Sequence, residues 1–474
     1  MNAPIARVFV VFVVLFGVLV AYTSRWTVFG AEALRDNPKN RRELLEEQRI
    51  RRGLIRAGDD TVLARSIKQP DDTYVRLYPQ DRLFSHAIGY SFVRQGRAGL
   101  ERFYNNDLSG TRSDLGSLID RLSGSTKQGD NLITSLDPAA QRVALQQLGT
   151  RKGAVVALDP RTGAIKVMAS VPGYNPNTVK NQDAFSALNR DPDAPLLNRN
   201  TQAGYPPGST FKVVTAIAAI DSGQYTPESR INGRNGKVIS GVPLNNDGGE
   251  SFGDITLTEA LTHSVNTVFG EVGEHVGKLT MKKYMDRLGF GAPVQVDLPR
   301  DERASSGERR GGRIILPTSR YVDVGRMAIG QDRLTVTPLQ MAMVAASVAN
   351  GGKLMKPHIG DRVVDPDGRT VRRIEPEEMS QVMSPKTATQ VGAMMAQVVR
   401  EGTGTAAALE GINVAGKTGT AEVDHGCPNQ LWFIAFAPVE DPRVAIAVTV
   451  ECGTGFGGTV AAPIAKAVMQ ELLK

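Results

Sequence analysis

From Val8 to Ser24 the chain runs for 17 residues without a charge, VFVVFVVLFGVLVAYTS, between Arg7 and Arg25. So apolar a stretch is best satisfied in lipid, where only a helix or a closed barrel can satisfy its own backbone. Its length is short for a bilayer but sufficient when the flanking Arg7, Arg25 and Trp26 reach to the interface. The reading is one transmembrane helix at 8–24 behind a short cytoplasmic tail at 1–7. A cleaved signal peptide is the rival, since Ala31-Glu32-Ala33 resembles a small-x-small cleavage site. That site lies well beyond the apolar run, with Arg25 between, so the uncleaved anchor is preferred. Arg35, Lys39, Arg41 and Arg42 follow the span, which on a local charge count favours a carboxy-terminal part inside. Long domains translocate largely regardless of such charges, so the bulk of the chain is expected outside the cytoplasmic membrane.

The remaining length fits two or three domains within 474 residues. With 41% hydrophobic and 22% charged residues, disorder and collagen-like repetition are excluded. The net charge of +7 is spread along the chain and points to no nucleic acid partner. Two cysteines, Cys427 and Cys452, and five histidines are too few for a zinc ribbon or an iron–sulfur cluster. Metal-free chemistry without an organic cofactor is expected.

Residues 25–131 are polar and irregular, with a charged helical patch at Arg41–Gly53 and turn-rich stretches such as Leu108–Gly116, and predict an elongated amino-terminal module. From 132 to 474 the pattern tightens. Asp137, Pro138 and Gly149 read as the cap, first turn and end of a helix. Ala154–Leu158 and Ala164–Ala169 form a hairpin signal around DPRTG, and Leu431–Ala437 with Val444–Val450 a second. Helical patterns begin at Ser209 and cover Leu257–Val276, Lys278–Leu288, Thr337–Ala349 and Pro463–Leu473. Strands at both ends with helices between predict an α/β fold around a largely antiparallel sheet.

Tyr205-Pro-Pro-Gly-Ser209-Thr-Phe-Lys212 places a hydroxyl and an amine three residues apart on one face of a helix that follows a turn. A serine is a weak nucleophile until a base takes its proton, and a lysine serves only when burial or nearby cations keep it neutral. Alone, S-x-x-K is better explained by an N-cap serine and a surface lysine. Ser264-Val265-Asn266 adds a relay hydroxyl and an amide that can hold a peptide bond. Lys417-Thr418-Gly419-Thr420 adds a cation, two hydroxyls for a carboxylate and a glycine permitting close backbone approach. Ser264 lies 55 residues after Ser209, and Lys417 lies 151 after Asn266. Together, in this order, the three motifs are those of penicillin-binding proteins and serine β-lactamases.

The sequence resembles a class B penicillin-binding protein, most like the penicillin-binding protein A group of actinomycetes. The resemblance runs through RRGLIR (51–56), GLERFYNNDLSG (99–110), TSLDPAAQ (134–141), GAVVALDPRTGAIKVMAS (153–170), LLNRNTQAGYPPGSTFK (196–212), AIGQDRLTVTPLQ (328–340) and AGKTGTAE (415–422). It implies a penicillin-binding transpeptidase domain, with a sheet flanked by helices plus an all-helical subdomain, on an amino-terminal pedestal. The family's R-G-x-I-x-D-R segment stands here as Arg52-Gly-Leu-Ile-Arg-Ala-Gly-Asp-Asp60, without the Asp-Arg pair. About 110 residues separate the span from the transpeptidase domain, too few for a glycosyltransferase module, and no PASTA repeats are expected after it. The resemblance therefore implies a monofunctional enzyme of cell-wall growth or division, served by a separate, SEDS-type glycan polymerase in the membrane.

What the family implies for the residues is as follows. Ser209 attacks the carbonyl between two terminal D-alanines of a peptidoglycan stem peptide, and Lys212 takes its proton. Ser264, helped by Lys417, passes a proton to the leaving amine, while Asn266 holds the donor amide. Thr418 and Thr420 bind the terminal carboxylate beside Gly419, and backbone N–H groups of Ser209 and Thr420 form the oxyanion hole. β-Lactams would acylate Ser209. Two other readings of the same motifs stay open: a β-lactamase, which needs an auxiliary carboxylate to activate water, and a β-lactam receptor or non-catalytic scaffold. His263 reads as a surface or packing residue, Trp432 and Phe433 as hairpin packing, and Glu422 and Asp424 as solvated positions.

Cys427 and Cys452 are expected to pair, on register. If Pro438–Asp441 is a four-residue loop, Ala437 faces Pro442, Leu431 faces Val448, Phe433 faces Ile446, and the two cysteines fall opposite each other. A six-residue loop offsets them by two positions unless the chain curls at Pro428. Pro442, which cannot donate to a ladder, leaves that second register open.

Overall fold

The computed structural model describes residues 3–25, 48–110, 128–423 and 426–474. The Ala31 cleavage motif, most of the Arg41–Gly53 patch, the stretch beyond Gly110 and Asp424 lie outside them. The apolar run forms a helix at Ala3–Ser24, long and apolar enough to cross a membrane, with the side chains of residues 4–24 exposed. Along the rest of the chain the expected α/β architecture is present.

A five-stranded antiparallel sheet forms the centre, in the order Ala415–Glu422, Asn429–Ala437, Val444–Val450, Gly153–Leu158, Ile165–Val171. Its inner strands are continuous apolar runs because both faces are covered. Along Asn429–Ala437 the alternation divides the side chains: Leu431, Phe433 and Ala435 enter one core with the helices Pro138–Leu148 and Gly457–Leu472, and Trp432, Ile434 and Phe436 enter the other, with Pro338–Ala349. Ala415–Glu422 is an edge strand, so half of its backbone groups are free of the ladder.

The helix at Pro138–Leu148 is built as expected: the Asp137 side chain accepts from Ala140 N at 2.9 Å, and Gly149 closes it with φ +60°. The closing helix starts earlier than expected, at Gly457, because Phe456 and Thr459 already satisfy its first turn, and Pro463 sits inside it. The pattern at Leu257–Val276 is not one helix. It divides into Leu257–Thr262, with a Thr256/Glu259 capping box, and Asn266–Arg287, because Ser264 takes φ +59° between them. The second helix is kinked at Gly277, where φ is +77°.

The second hairpin departs from the expected register. Ala437 pairs with Val444, Phe433 with Val448 and Leu431 with Val450, across a six-residue loop. The reason is local: Pro442 has no N–H, and this register moves it off the ladder into the loop, leaving Arg443 N to donate to Ala437 O at 3.0 Å.

The expected boundary at 131/132 is crossed by hydrogen bonding. A six-stranded sheet runs Thr370–Arg373, Gly360–Val364, Asn131–Thr134, Ile55–Arg56, Val62–Lys68, Tyr74–Leu77, and so joins amino-terminal strands to a hairpin from the later region. Within the amino-terminal part, fully buried Glu101 bridges Arg52 and Arg76. Burial alone would raise its carboxyl pKa, but the two guanidiniums together hold it below the usual range.

Candidate active site

The nucleophile motif is shaped by glycine. Gly208 takes φ +51°, and its N–H donates to Gly330 O at 3.0 Å. A Cβ on Gly208 would meet Thr420 O at 3.0 Å, and one on Gly419 would meet Pro207 O at 2.8 Å. The turn before Ser209 therefore lies directly against the Thr418–Thr420 strand. Ser209, half-buried, is the second residue of a single 3-10 turn, Gly208–Phe211, that runs into the helix Lys212–Asp221. The turn is clamped from behind: Trp432 Nε1 donates to Pro206 O at 2.9 Å, and Tyr205 and Val336 exchange backbone hydrogen bonds.

Lys212 has no exposed surface, and neither has Lys417. Lys212 Nζ donates to Ser264 O at 2.6 Å, Asn266 Oδ1 at 2.7 Å and Ser264 Oγ at 3.2 Å. Lys417 Nζ donates to the same Ser264 Oγ at 2.9 Å and to Thr418 O at 3.1 Å. The left-handed backbone at Ser264 is what turns both its carbonyl and its hydroxyl to these lysines. Burial, and then the neighbouring Lys417 charge, hold the Lys212 amine well below its ordinary pKa. Burial alone pushes Lys417 down to about 7. Burial thus favours the neutral form of both lysines, the condition the sequence alone could only require.

Of the remaining expected residues, Thr418 shares a 2.6 Å hydrogen bond with Thr403 Oγ1, and Thr420 Oγ1 accepts from Gly457 N at 3.2 Å. Asn266 Nδ2 donates to Asn245 O at 3.0 Å, which fixes its amide. Ser209, Lys212, Ser264, Asn266, Lys417, Thr418, Gly419 and Thr420 are therefore brought together from three separate chain segments. His263 is exposed and stacks on Phe252 at 5.9 Å, and Glu422 is exposed. Among the described residues, no cluster of three His, Cys, Asp or Glu side chains is arranged to hold a metal ion.

Cys427 and Cys452 are bonded in the structure, with Cα atoms 4.7 Å apart, despite the altered register. Cys427 lies before the strand, next to Pro428, and Cys452 lies beyond the other strand with φ +48°, so the bridge forms outside the ladder where the chain can curl. Its neighbour Glu451 is a site residue that the motifs did not reveal. Glu451 Oε1 accepts from Tyr205 Oη and from Arg199 Nε at 2.7 Å, and Tyr205 immediately precedes the Pro-Pro-Gly-Ser turn. The contacts span 246 and 252 residues, so no local pattern announces them.

Residues 153–470 match the family model of the penicillin binding protein transpeptidase domain, and residues 52–132 match that of the penicillin binding protein A dimerisation domain. The chain is 35% identical over 504 residues to the peptidoglycan D,D-transpeptidase PbpA of Mycolicibacterium smegmatis, covering 100% of this chain and 99% of that one. It is 33% identical, with the same coverage, to the PbpA of Mycobacterium tuberculosis. Among solved structures, the ceftriaxone acyl-enzyme complex of M. tuberculosis penicillin-binding protein A superposes with a TM-score of 0.83 at 31% identity, covering 91% of this chain and all of that one.

Proposed function

The chain belongs to the penicillin-binding protein transpeptidase family, and from that membership and the site we propose that it is a peptidoglycan D,D-transpeptidase with Ser209 as its nucleophile and β-lactams as its inhibitors. The observation that carries this reading is the burial of Lys212 against Ser264 and Asn266 at the base of the Ser209 turn. Neutral Lys212 takes the Ser209 proton as Oγ bonds to the carbonyl carbon between two D-alanines. The peptide C–N bond then breaks, and Ser264, with Lys417 on its hydroxyl, returns a proton to the departing D-alanine amine. The amine of a second stem peptide attacks the Ser209 ester, forms the cross-link and restores the serine hydroxyl. The edge strand Ala415–Glu422 offers free backbone groups along which a donor peptide can lie, with Thr418 and Thr420 beside its carboxylate. Backbone N–H groups of Ser209 and Thr420 supply the oxyanion hole.

A β-lactamase must activate a water to release its acyl group; the full-length similarity to the PbpA D,D-transpeptidases favours transfer to an amine over that reading. The apolar helix Ala3–Ser24 is read as the anchor, with the amino terminus inside and the catalytic domain outside, and residues 25–131 as the pedestal. A SEDS-type polymerase in the same membrane is the proposed source of glycan strands. The test is to supply uncross-linked glycan strands bearing pentapeptide stems to the detergent-solubilised protein. Cross-linked dimers and released D-alanine, abolished by penicillin, are expected; release of D-alanine without dimers would replace this reading with a carboxypeptidase.

A further inference from the structure

Outside the Ser209 cluster, positive charge concentrates between 309 and 333, where six arginines stand against two acids, Asp323 and Asp332. The segment begins in a hairpin whose strands, Gly307–Arg310 and Arg313–Ile314, turn through Gly311 and Gly312 at φ +55° and +77°. That register sets Arg310 directly opposite Arg313, and both side chains are exposed. Like charges placed opposite each other across a ladder are destabilising.

A third guanidinium joins them. Tyr321 is 41% exposed, and Arg310 and Arg320 place their Cζ atoms 3.4 and 4.8 Å from its ring centre. Arg320 is itself exposed, and its Nη2 donates to Tyr321 Oη at 2.6 Å. Two cations thus rest on one ring at the surface, within reach of a single ligand.

The nearby acids do not neutralise this cluster. Among the described residues, no carboxylate forms an ion pair with Arg310, Arg313 or Arg320. Asp323 pairs with Arg326 at 3.0 Å and accepts from Ser240 Oγ, Asp332 accepts from Asp323 N at 3.3 Å, and Glu308 on the hairpin is fully buried. Arg309 and Arg333 are engaged inside the fold: Arg309 donates to Ser305 O, Gly312 O and Thr335 Oγ1, and Arg333 Nη1 donates to Tyr321 O at 2.9 Å.

The hairpin is built on the segment that holds the Ser209 turn. Gly307 and Glu308 pair with Thr335 and Leu334, and the next residue, Val336, exchanges backbone hydrogen bonds with Tyr205. Gly330, which accepts from Gly208 N, lies three residues before Arg333, a distance of at most about 11 Å along the chain.

We propose that Arg310, Arg313 and Arg320, gathered at Tyr321, dock an uncross-linked glycan strand through the free carboxylates of its stem peptides, outside the Ser209 cleft. The proposal rests on the transpeptidase reading, under which a strand brought to that cleft is the polyanion brought to this hairpin. Each guanidinium can take a carboxylate through paired hydrogen bonds, and a strand that repeats its carboxylates can meet several of them at once.

For the test, the full-length, detergent-solubilised protein is acylated with penicillin G, which fills the cleft, and then titrated with soluble uncross-linked strands bearing pentapeptide stems. One preparation keeps its stem carboxylates and the other has them converted to amides. Saturable binding of the free-acid strands is expected, with the amidated strands about tenfold weaker. The double variant Arg310→Gln, Arg320→Gln, checked by thermal unfolding, should lose about tenfold for the free-acid strands and cease to distinguish the two preparations. Arg313→Gln leaves the Tyr321 stack in place, should weaken the free-acid strands about threefold, and remains informative if the double variant is unstable. Failure of the parent protein to be acylated would overturn the reading of the cleft and this proposal with it. Normal acylation with equal binding of the two preparations, or undiminished binding in the variants, would overturn the docking surface alone. Arginine-dependent binding of a polyphosphate or of phosphatidylglycerol vesicles, without binding of free-acid strands, would also overturn it.

Discussion

Lys212 and Lys417 meet on one hydroxyl: their Nζ atoms lie 3.2 and 2.9 Å from Ser264 Oγ. Two buried ammonium groups this close cannot both be charged cheaply, so the pair holds its protons jointly and one member is readily neutral. On the proposed reading, this arrangement makes Ser264 the link between the base that would activate Ser209 and the cation beside the proposed carboxylate site.

Lys212→Ala should therefore lose 10²- to 10⁴-fold in the second-order rate of acylation by penicillin, roughly the contribution of a positioned general base. Stopped-flow acylation with a fluorescent penicillin, alongside a far-ultraviolet spectrum showing the parent fold, checks this. Parent-rate acylation by Lys212→Ala would remove Lys212 from the role of base.

The same burial has a consequence for stability. Lys417 has a folded pKa of about 7 against an ordinary value of 10.5, so between these values the unfolded chain binds more protons than the folded one. Its contribution to stability therefore rises with pH through that window and is least favourable below pH 7. Lys417→Met removes this contribution. The melting temperature of the variant relative to the parent should be highest at pH 6 and fall steadily towards pH 10. A difference that does not change with pH contradicts the buried, depressed lysine.

Much of this site was legible in the sequence because its parts are short and local. The three motifs carry the side chains proposed to react, and Gly208 and Gly419 mark where backbone meets backbone. Helix ends at Asp137 and Gly149 were readable for the same reason. Three kinds of feature were not. The break at Ser264 depends on a left-handed serine, which no residue preference announces. The register of the Asn429–Ala437 hairpin was decided by the missing N–H of Pro442 over a neater cysteine pairing. The joining of Ile55–Arg56, Asn131–Thr134 and Gly360–Val364 in one sheet, and the Glu451–Tyr205 contact, arise from chain segments far apart in sequence.

Glu451→Ala should destabilise the protein by about 3 kcal/mol, because it strands the Arg199 guanidinium, only 3% exposed, without its carboxylate. Acylation should also slow, since Tyr205 loses its acceptor next to the Ser209 turn, while Glu451→Gln, which keeps an acceptor oxygen, should recover most of the rate. Urea unfolding and penicillin acylation of both variants measure the two effects. Equal losses in the two variants would assign Glu451 to packing alone.

Replacing both Cys427 and Cys452 with Ala should cost about 3 kcal/mol through the opened loop. Because Cys452 adjoins Glu451, the double variant should also acylate more slowly than the parent. Denaturant midpoints of the oxidised parent, reduced parent and double variant make the comparison; identical midpoints would mean the bridge contributes nothing to stability.

The central claim is that Ser209 is the acylated nucleophile. Intact mass spectrometry of the full-length protein with penicillin G, followed by digestion and peptide mapping, tests it most directly. A single stable adduct on the peptide containing Ser209, absent from Ser209→Ala, is the predicted result; an adduct on any other residue, or one that persists in Ser209→Ala, would contradict it.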